Sequence, residues 1–145
     1  MLSVIIPTDN DAQALAALLM VLAPAAVDGL VREVIAADVG STDQTLELAD
    51  DAGVDLVSGG LVAAAGLARN AWVLVLPIEI KLSQDWAARL SIHLARGPRA
   101  GLLKGVRAWF GPVGLLVARD TLLAAAETRD VATLVRSLGR GAPRL

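Results

Sequence analysis

Over the first eighty residues, short apolar runs alternate with longer segments in which apolar residues recur at helical spacing. Ser3 to Ile6 is a β-rich run ending at Pro7, and Thr8-Asp9-Asn10-Asp11 supplies turn and N-cap residues before an Ala/Leu-rich helical segment to about Leu22. Asn10 with Gln13 has the spacing of a capping pair, and Pro24 is expected to end that helix. The plan then repeats. Glu33 to Ala37 predicts a strand, Asp38-Val39-Gly40 a turn, and Ser41 with Gln44 a capping box opening a helix that stops at Gly53. Val54 to Val57 is a third strand, Leu61 to Arg69 a helix, and Trp72 to Leu76 an apolar run suited to a strand buried on both faces.

Alternation of this kind predicts a parallel sheet covered by helices, with ligands beyond the carboxyl ends of the strands, at Pro7-Thr8, Asp38-Val39 and Pro77-Ile78. The second half is less regular. Ser83 to Ala95 predicts a helix, Gly101 to Lys104 and Leu115 to Ala118 short strands, and Thr121 to Glu127 and Asp130 to Leu138 helices, so a mixed sheet is expected. The tail, Gly139 to Leu145, is expected to be loosely held.

Composition narrows the classes. At 145 residues with 55% hydrophobic content, the chain matches one ordinary globular domain, and the absence of cysteine excludes disulfide scaffolds and thiolate metal sites. The apolar stretch Ala14 to Val27 contains Pro24 and is too short to span a bilayer, and the N-terminus shows no signal-peptide pattern, so a cytoplasmic location is expected. The net charge of -2 conceals a division: residues 1–60 carry ten acids and one base, residues 61–145 five acids and twelve bases. The basic half, densest at Arg96, Arg99, Lys104 and Arg107, suits phosphates or an anionic membrane surface, including peripheral association at the inner membrane. Its bland reading is a solvated face. Aromatics are only 3% and no nucleic-acid motif occurs, so nucleic acid is not an expected partner.

Four segments carry a resemblance to the family 2 glycosyltransferases. They are Ser3-Val4-Ile5-Ile6-Pro7-Thr8-Asp9-Asn10, similar to the family's first strand and Pro-Thr-x-Asn loop; Glu33 through Thr45, whose Asp38-Val39-Gly40-Ser41-Thr42-Asp43-Gln44-Thr45 resembles the Asp-x-Gly-Ser-Thr-Asp-x-Thr turn; Trp72 through Glu79 with Leu82-Ser83-Gln84-Asp85-Trp86; and Gly114 through Asp120 with Arg129 through Leu134. The resemblance implies a GT-A-like three-layer α/β sandwich with a mixed, mainly parallel sheet, spanning residues 1–145 as one shortened domain. Residues 1–80 form its nucleotide-binding half, 81–138 a reduced acceptor half and 139–145 the tail. The implied activity is inverting sugar transfer from a nucleotide-sugar donor to an acceptor that the sequence does not identify.

The resemblance assigns nucleotide contacts to Pro7, Thr8, Asn10, Asp38, Gly40, Ser41 and Asp43, although Asn10, Ser41 and Asp43 also suit plain capping and Gly40 a plain turn. It implies a divalent cation, Mn2+ or Mg2+, held by an Asp-x-Asp motif, because the departing diphosphate gathers negative charge. Here that motif reads Pro77-Ile78-Glu79, leaving Glu79 as the single candidate ligand. The family's base lies near a Glu-Asp helix start, which here reads Arg129-Asp130; Asp130 is the remaining candidate base, and a helix cap is its structural alternative. These two departures motivate a second reading, a catalytically inactive relative that binds a nucleotide or a protein partner. Lys81 or Lys104 would be the cations available to neutralise a diphosphate without metal. His93 is the only histidine, which rules out a two-histidine metal site. Of the tryptophans, Trp72 and Trp86 suit the core and Trp109 beside Phe110 suits sugar stacking.

Overall fold

The computed structural model describes residues 1–106 and 111–145; Arg107, Trp109 and Phe110 lie outside the described residues. The first half folds as strand β1 (Leu2–Thr8), helix α1 (Ala12–Val27), β2 (Val31–Asp38), α2 (Thr45–Asp51), β3 (Asp55–Ser58), α3 (Leu61–Leu67) and β4 (Trp72–Val75). The second half adds α4 (Trp86–Ala95), β5 (Gly101–Lys104), β6 (Val113–Ala118), α5 (Arg119–Leu123) and α6 (Val131–Leu138). The strands form one sheet in the order β3-β2-β1-β4-β6-β5. β3, β2, β1 and β4 pair in parallel, and β6 runs antiparallel to both β4 and β5, the mixed, mainly parallel sheet expected from the sequence.

Alternation within the central strands divides the core in two. Leu2, Val4 and Ile6 of β1 and Leu74 of β4, with Leu76 just beyond it, pack with Leu15, Leu18 and Leu22 of α1, Ala49 of α2, and Trp86 and Leu90 of α4. Ile5, Val73 and Val75 point to the opposite face, where Leu61, Ala64 and Ala65 of α3, Leu122 of α5, and Val131 and Leu134 of α6 cover them. The result is three layers. Burial on both faces explains why β1 and β4 are continuous apolar runs. Trp86 is a core residue and Trp72 packs half-buried at the edge of the same cluster.

Several local expectations are corrected by tertiary context. Helix α1 runs through Pro24 to Val27 rather than ending before it. Pro24 and Met20, whose carbonyl loses its helical partner, both lie on the outer face, so the cost of the lost bond is not that of a buried orphan. The tail from Gly139 is not loose: Leu102 N–H donates to the Pro143 carbonyl and Leu145 N–H to the Leu102 carbonyl, both at 2.9 Å. Arg89 adds a guanidinium bond to the Leu145 carbonyl at 2.9 Å, so the last residues extend the sheet beside β5.

One long-range latch fixes the second half against the first. The Glu127 carboxylate accepts the Val62 and Ala63 N–H groups at 2.8 and 2.9 Å, capping α3 from sixty residues away, while Leu61 N–H donates to the Thr128 carbonyl at 2.8 Å. Gly60 permits this approach, since a Cβ there would sit 2.2 Å from Glu127 Oε1 and 2.7 Å from the Thr128 carbonyl. Gly60→Ala is therefore expected to cost about 1–3 kcal/mol, a fall in Tm of roughly 3–10 °C by calorimetry. Gly66→Ala, in the same helix with open space around it, serves as the control and leaves Tm unchanged or raises it.

Candidate functional site

The β1–α1 and β2–α2 loops are tied together by a buried carboxylate. Asp38, at the end of β2 and only 4% exposed, accepts the Thr8 hydroxyl at 2.7 Å and the Ser41 hydroxyl at 2.6 Å on one oxygen. Its other oxygen accepts the Gly40 and Ser41 N–H groups, both at 2.8 Å. Four donors fill the four acceptor positions of a carboxylate. Burial by itself raises the Asp38 pKa, but the Ser41 hydroxyl and N–H, the Thr8 hydroxyl and the Gly40 N–H together hold it below the usual value. Gly40 turns at φ +100°, a conformation that side chains disfavour.

The remaining residues of the signature belong to the same clamp. Asn10, at φ +52°, donates its N–H to the Ser41 hydroxyl and accepts the Thr42 and Asp43 N–H groups on its side-chain oxygen at 2.8 and 3.1 Å. Asp43 takes the Thr45 N–H at 2.9 Å and the Thr45 hydroxyl, and that hydroxyl in turn accepts the Asp11 N–H. Its pKa is lowered, chiefly by the Thr45 hydroxyl. Neither predicted capping pair forms. Asp11 is the N-cap of α1 and Gln44 that of α2, and neither gives a side-chain cap bond. Asn10 and Ser41 are diverted across the loops because the parallel pairing of Thr8 with Asp38 brings the two turns side by side.

A cavity of about 350 Å³ opens beside this clamp, in the size range of small-molecule sites. Its walls come from Pro7 after β1, Pro77-Ile78-Glu79 after β4, Gly111 to Val113 entering β6, and the start of α6 with Arg129, Asp130 and Arg136. Helices α1 and α2 cover one face of the sheet and α3 the other, so connections change face between β1 and β4. The cavity thus sits at the topological switch point, where parallel α/β sheets take their ligands. Pro7, Glu79 and Asp130 line it together, whereas Thr8, Asn10, Asp38, Gly40, Ser41 and Asp43 do not. Arg129 and Arg136 were not singled out as ligand groups by the sequence; the run of bases in the second half was the available signal. Lys81 lines an adjoining cavity that shares Glu79 and Gly111-Pro112.

Within the cavity Asp130 is committed to α6. It accepts the Ala132 and Thr133 N–H groups at 3.2 and 3.1 Å and the Thr133 hydroxyl at 2.6 Å, and lies 3.7 Å from Arg136. Its pKa is lowered, first by the Thr133 hydroxyl, against a smaller opposing effect of desolvation. Glu79 is exposed. Among the described residues no three His, Asp or Glu side chains group to hold an ion, and Pro77 offers no side-chain oxygen. The donor set does not fit a divalent cation that requires several oxygen ligands from protein.

Three layers and a mixed sheet of this order make a GT-A-like fold, and solved structures share it. The chain is similar to glucosyl-3-phosphoglycerate synthase from Mycobacterium tuberculosis: in the complex with phosphoglyceric acid the TM-score is 0.72 at 19% identity, covering 99% of this chain and 68% of that one. The complex of that protein with Mn2+, UDP-glucose and phosphoglyceric acid gives 0.70 at 19% identity, covering 99% and 69%. A further mycobacterial protein gives 0.72 at 19% identity over 100% of this chain and 65% of that one. This chain therefore spans about two thirds of their length, and at such identity the likeness is one of fold. No protein-family model and no curated protein matches the sequence. Among the described residues no helix is long and apolar enough to cross a membrane.

Asp38→Asn removes acceptors from a filled, buried network and is expected to cost about 2–3 kcal/mol at neutral pH, read by urea unfolding. Because the folded pKa lies below the unfolded one, this stabilisation is complete above about pH 4 and is lost as pH falls through the folded value. The gap between wild type and variant should therefore close on acidification below about pH 4.

Proposed function

We propose that this chain is a glycosyltransferase-like domain that binds a nucleotide or nucleotide-sugar in the cleft between β1, β4 and α6 without transferring the sugar. The observation that carries this reading is the state of Asp130: its oxygens hold the first turn of α6, and its lowered pKa makes it a weak proton acceptor. The cleft keeps the position and size of a ligand site. Pro7 would contribute to its wall, while Thr8, Asn10, Asp38, Gly40, Ser41 and Asp43 hold the neighbouring loops in a fixed shape.

A second reading, inverting transfer with Asp130 as base and Glu79 toward a cation, is favoured by one fact: both carboxylates line the same cavity. The two are separated by titrating the protein with UDP and UDP-glucose in a calorimeter and following glucose release from the donor. Saturable binding with release no faster than in buffer, unaltered in Asp130→Asn, is the expected result. Donor hydrolysis that disappears in Asp130→Asn would establish the transfer reading instead, and absence of binding to either compound would overturn both.

A further inference from the structure

The poor fit of the cleft to a divalent cation, set beside its two arginines, points to a different way of holding phosphate. Arg129 is exposed on the cavity wall and has neither an ion pair nor a hydrogen bond among the described residues. Arg136, one helical face further along α6, is 71% exposed; it is held by the Thr133 hydroxyl at 3.0 Å and by Asp130 at 3.7 Å, which aims it without using up its fork of donors. Both stand over a wall of Pro7, Pro77 and Val131 that excludes water from one side of the cavity. Among the described residues that line the cavity, opposite charge is supplied by Glu79 and the already paired Asp130. A guanidinium presents two parallel N–H donors to two phosphate oxygens, and next to an apolar wall that bond is stronger than in open water.

We propose that the cleft recognises a phosphorylated ligand through Arg129 and Arg136, with no divalent cation between protein and phosphate. The shared chemistry is a phosphate or diphosphate group, anionic at neutral pH, from either a nucleoside diphosphate or a small phosphorylated acid. The nucleotide source rests on the function proposed above; the phosphate chemistry does not. The helix start is not the proposed anion site, because the Asp130 carboxylate already takes its Ala132 and Thr133 N–H groups.

Glu79 provides the discriminating test, since the two ways of binding give it opposite signs. If a cation bridges protein and phosphate, Glu79 is a ligand and Glu79→Gln weakens binding; without a cation, Glu79 repels the anion and Glu79→Gln leaves affinity unchanged or raises it. Calorimetric titrations with UDP and with 3-phosphoglycerate, each in EDTA and in Mn2+, would be run on wild type, Glu79→Gln, Arg129→Ala and Arg129→Lys. Thermal unfolding would confirm that each variant folds, as expected for exposed side chains. The expected result is binding indifferent to EDTA, weakened about tenfold or more in Arg129→Ala, only partly recovered in Arg129→Lys, and not weakened in Glu79→Gln. Binding of UDP that requires Mn2+ and fails in Glu79→Gln would overturn this proposal while leaving nucleotide binding intact. Arginine-dependent, metal-free binding of 3-phosphoglycerate alone would support it and remove the nucleotide. Arg129→Ala binding both compounds as wild type does, or binding of neither compound by wild type, would overturn it.

Discussion

A single buried carboxylate organises the carboxyl end of the parallel strands in this sheet. Asp38 sits where two parallel strands end together, and an ionised carboxylate at 4% exposure is tolerated there only because four donors surround it. Those donors come from Thr8 on one strand and from the turn after the other, so satisfying the charge joins the loops. Asn10 and Asp43 extend the same logic outward: the Asn10 side-chain oxygen accepts the Thr42 and Asp43 N–H groups, and the Asp43 carboxylate accepts the Ala12 N–H from the facing loop. The signature residues are thereby spent chiefly on shape.

The cleft follows from that shape and from a change of covering face. With α1 and α2 on one side and α3 on the other, the cleft opens beyond the carboxyl ends of β1 and β4, and the start of α6 supplies its far wall. The position of α6 is set by the Glu127 latch to the start of α3, which needs a glycine at position 60. Chemistry in the cleft is therefore decided by the short segment between that latch and the helix. In that segment Thr128 supplies backbone contacts, Arg129 stands free, and Asp130 caps. A cleft so built lies at the switch point of the sheet and sets two arginines beside one open carboxylate.

Much of the fold was legible because both-face burial leaves a strong mark: the runs at Ser3 to Ile6 and Trp72 to Leu76 could hardly be anything but central strands. The site was legible in part. Pro7, Glu79 and Asp130 do meet in one cavity, whereas Asn10 and Ser41, taken locally as caps, serve the facing loop, and the gain in partner lay thirty residues away. Pro24 misled for a related reason, since a proline's cost depends on whether the orphaned carbonyl faces core or water. The tail misled because its anchoring is almost wholly backbone pairing with Leu102, which composition does not encode.

The sequence by itself determined the layer order of the first half, the places where strands end, and the loss of side-chain oxygen at Pro77, because hydrophobic period and residue chemistry are local properties. Tertiary structure alone decided which carboxylates stay available. Asp38 and Asp130 are both acids at strand or helix ends in the sequence, and only the folded chain shows each filled by hydroxyl and N–H donors while Glu79 and Arg129 remain open to the cleft. Availability of a charged group is a matter of who else reaches it, and that is settled by residues far apart along the chain.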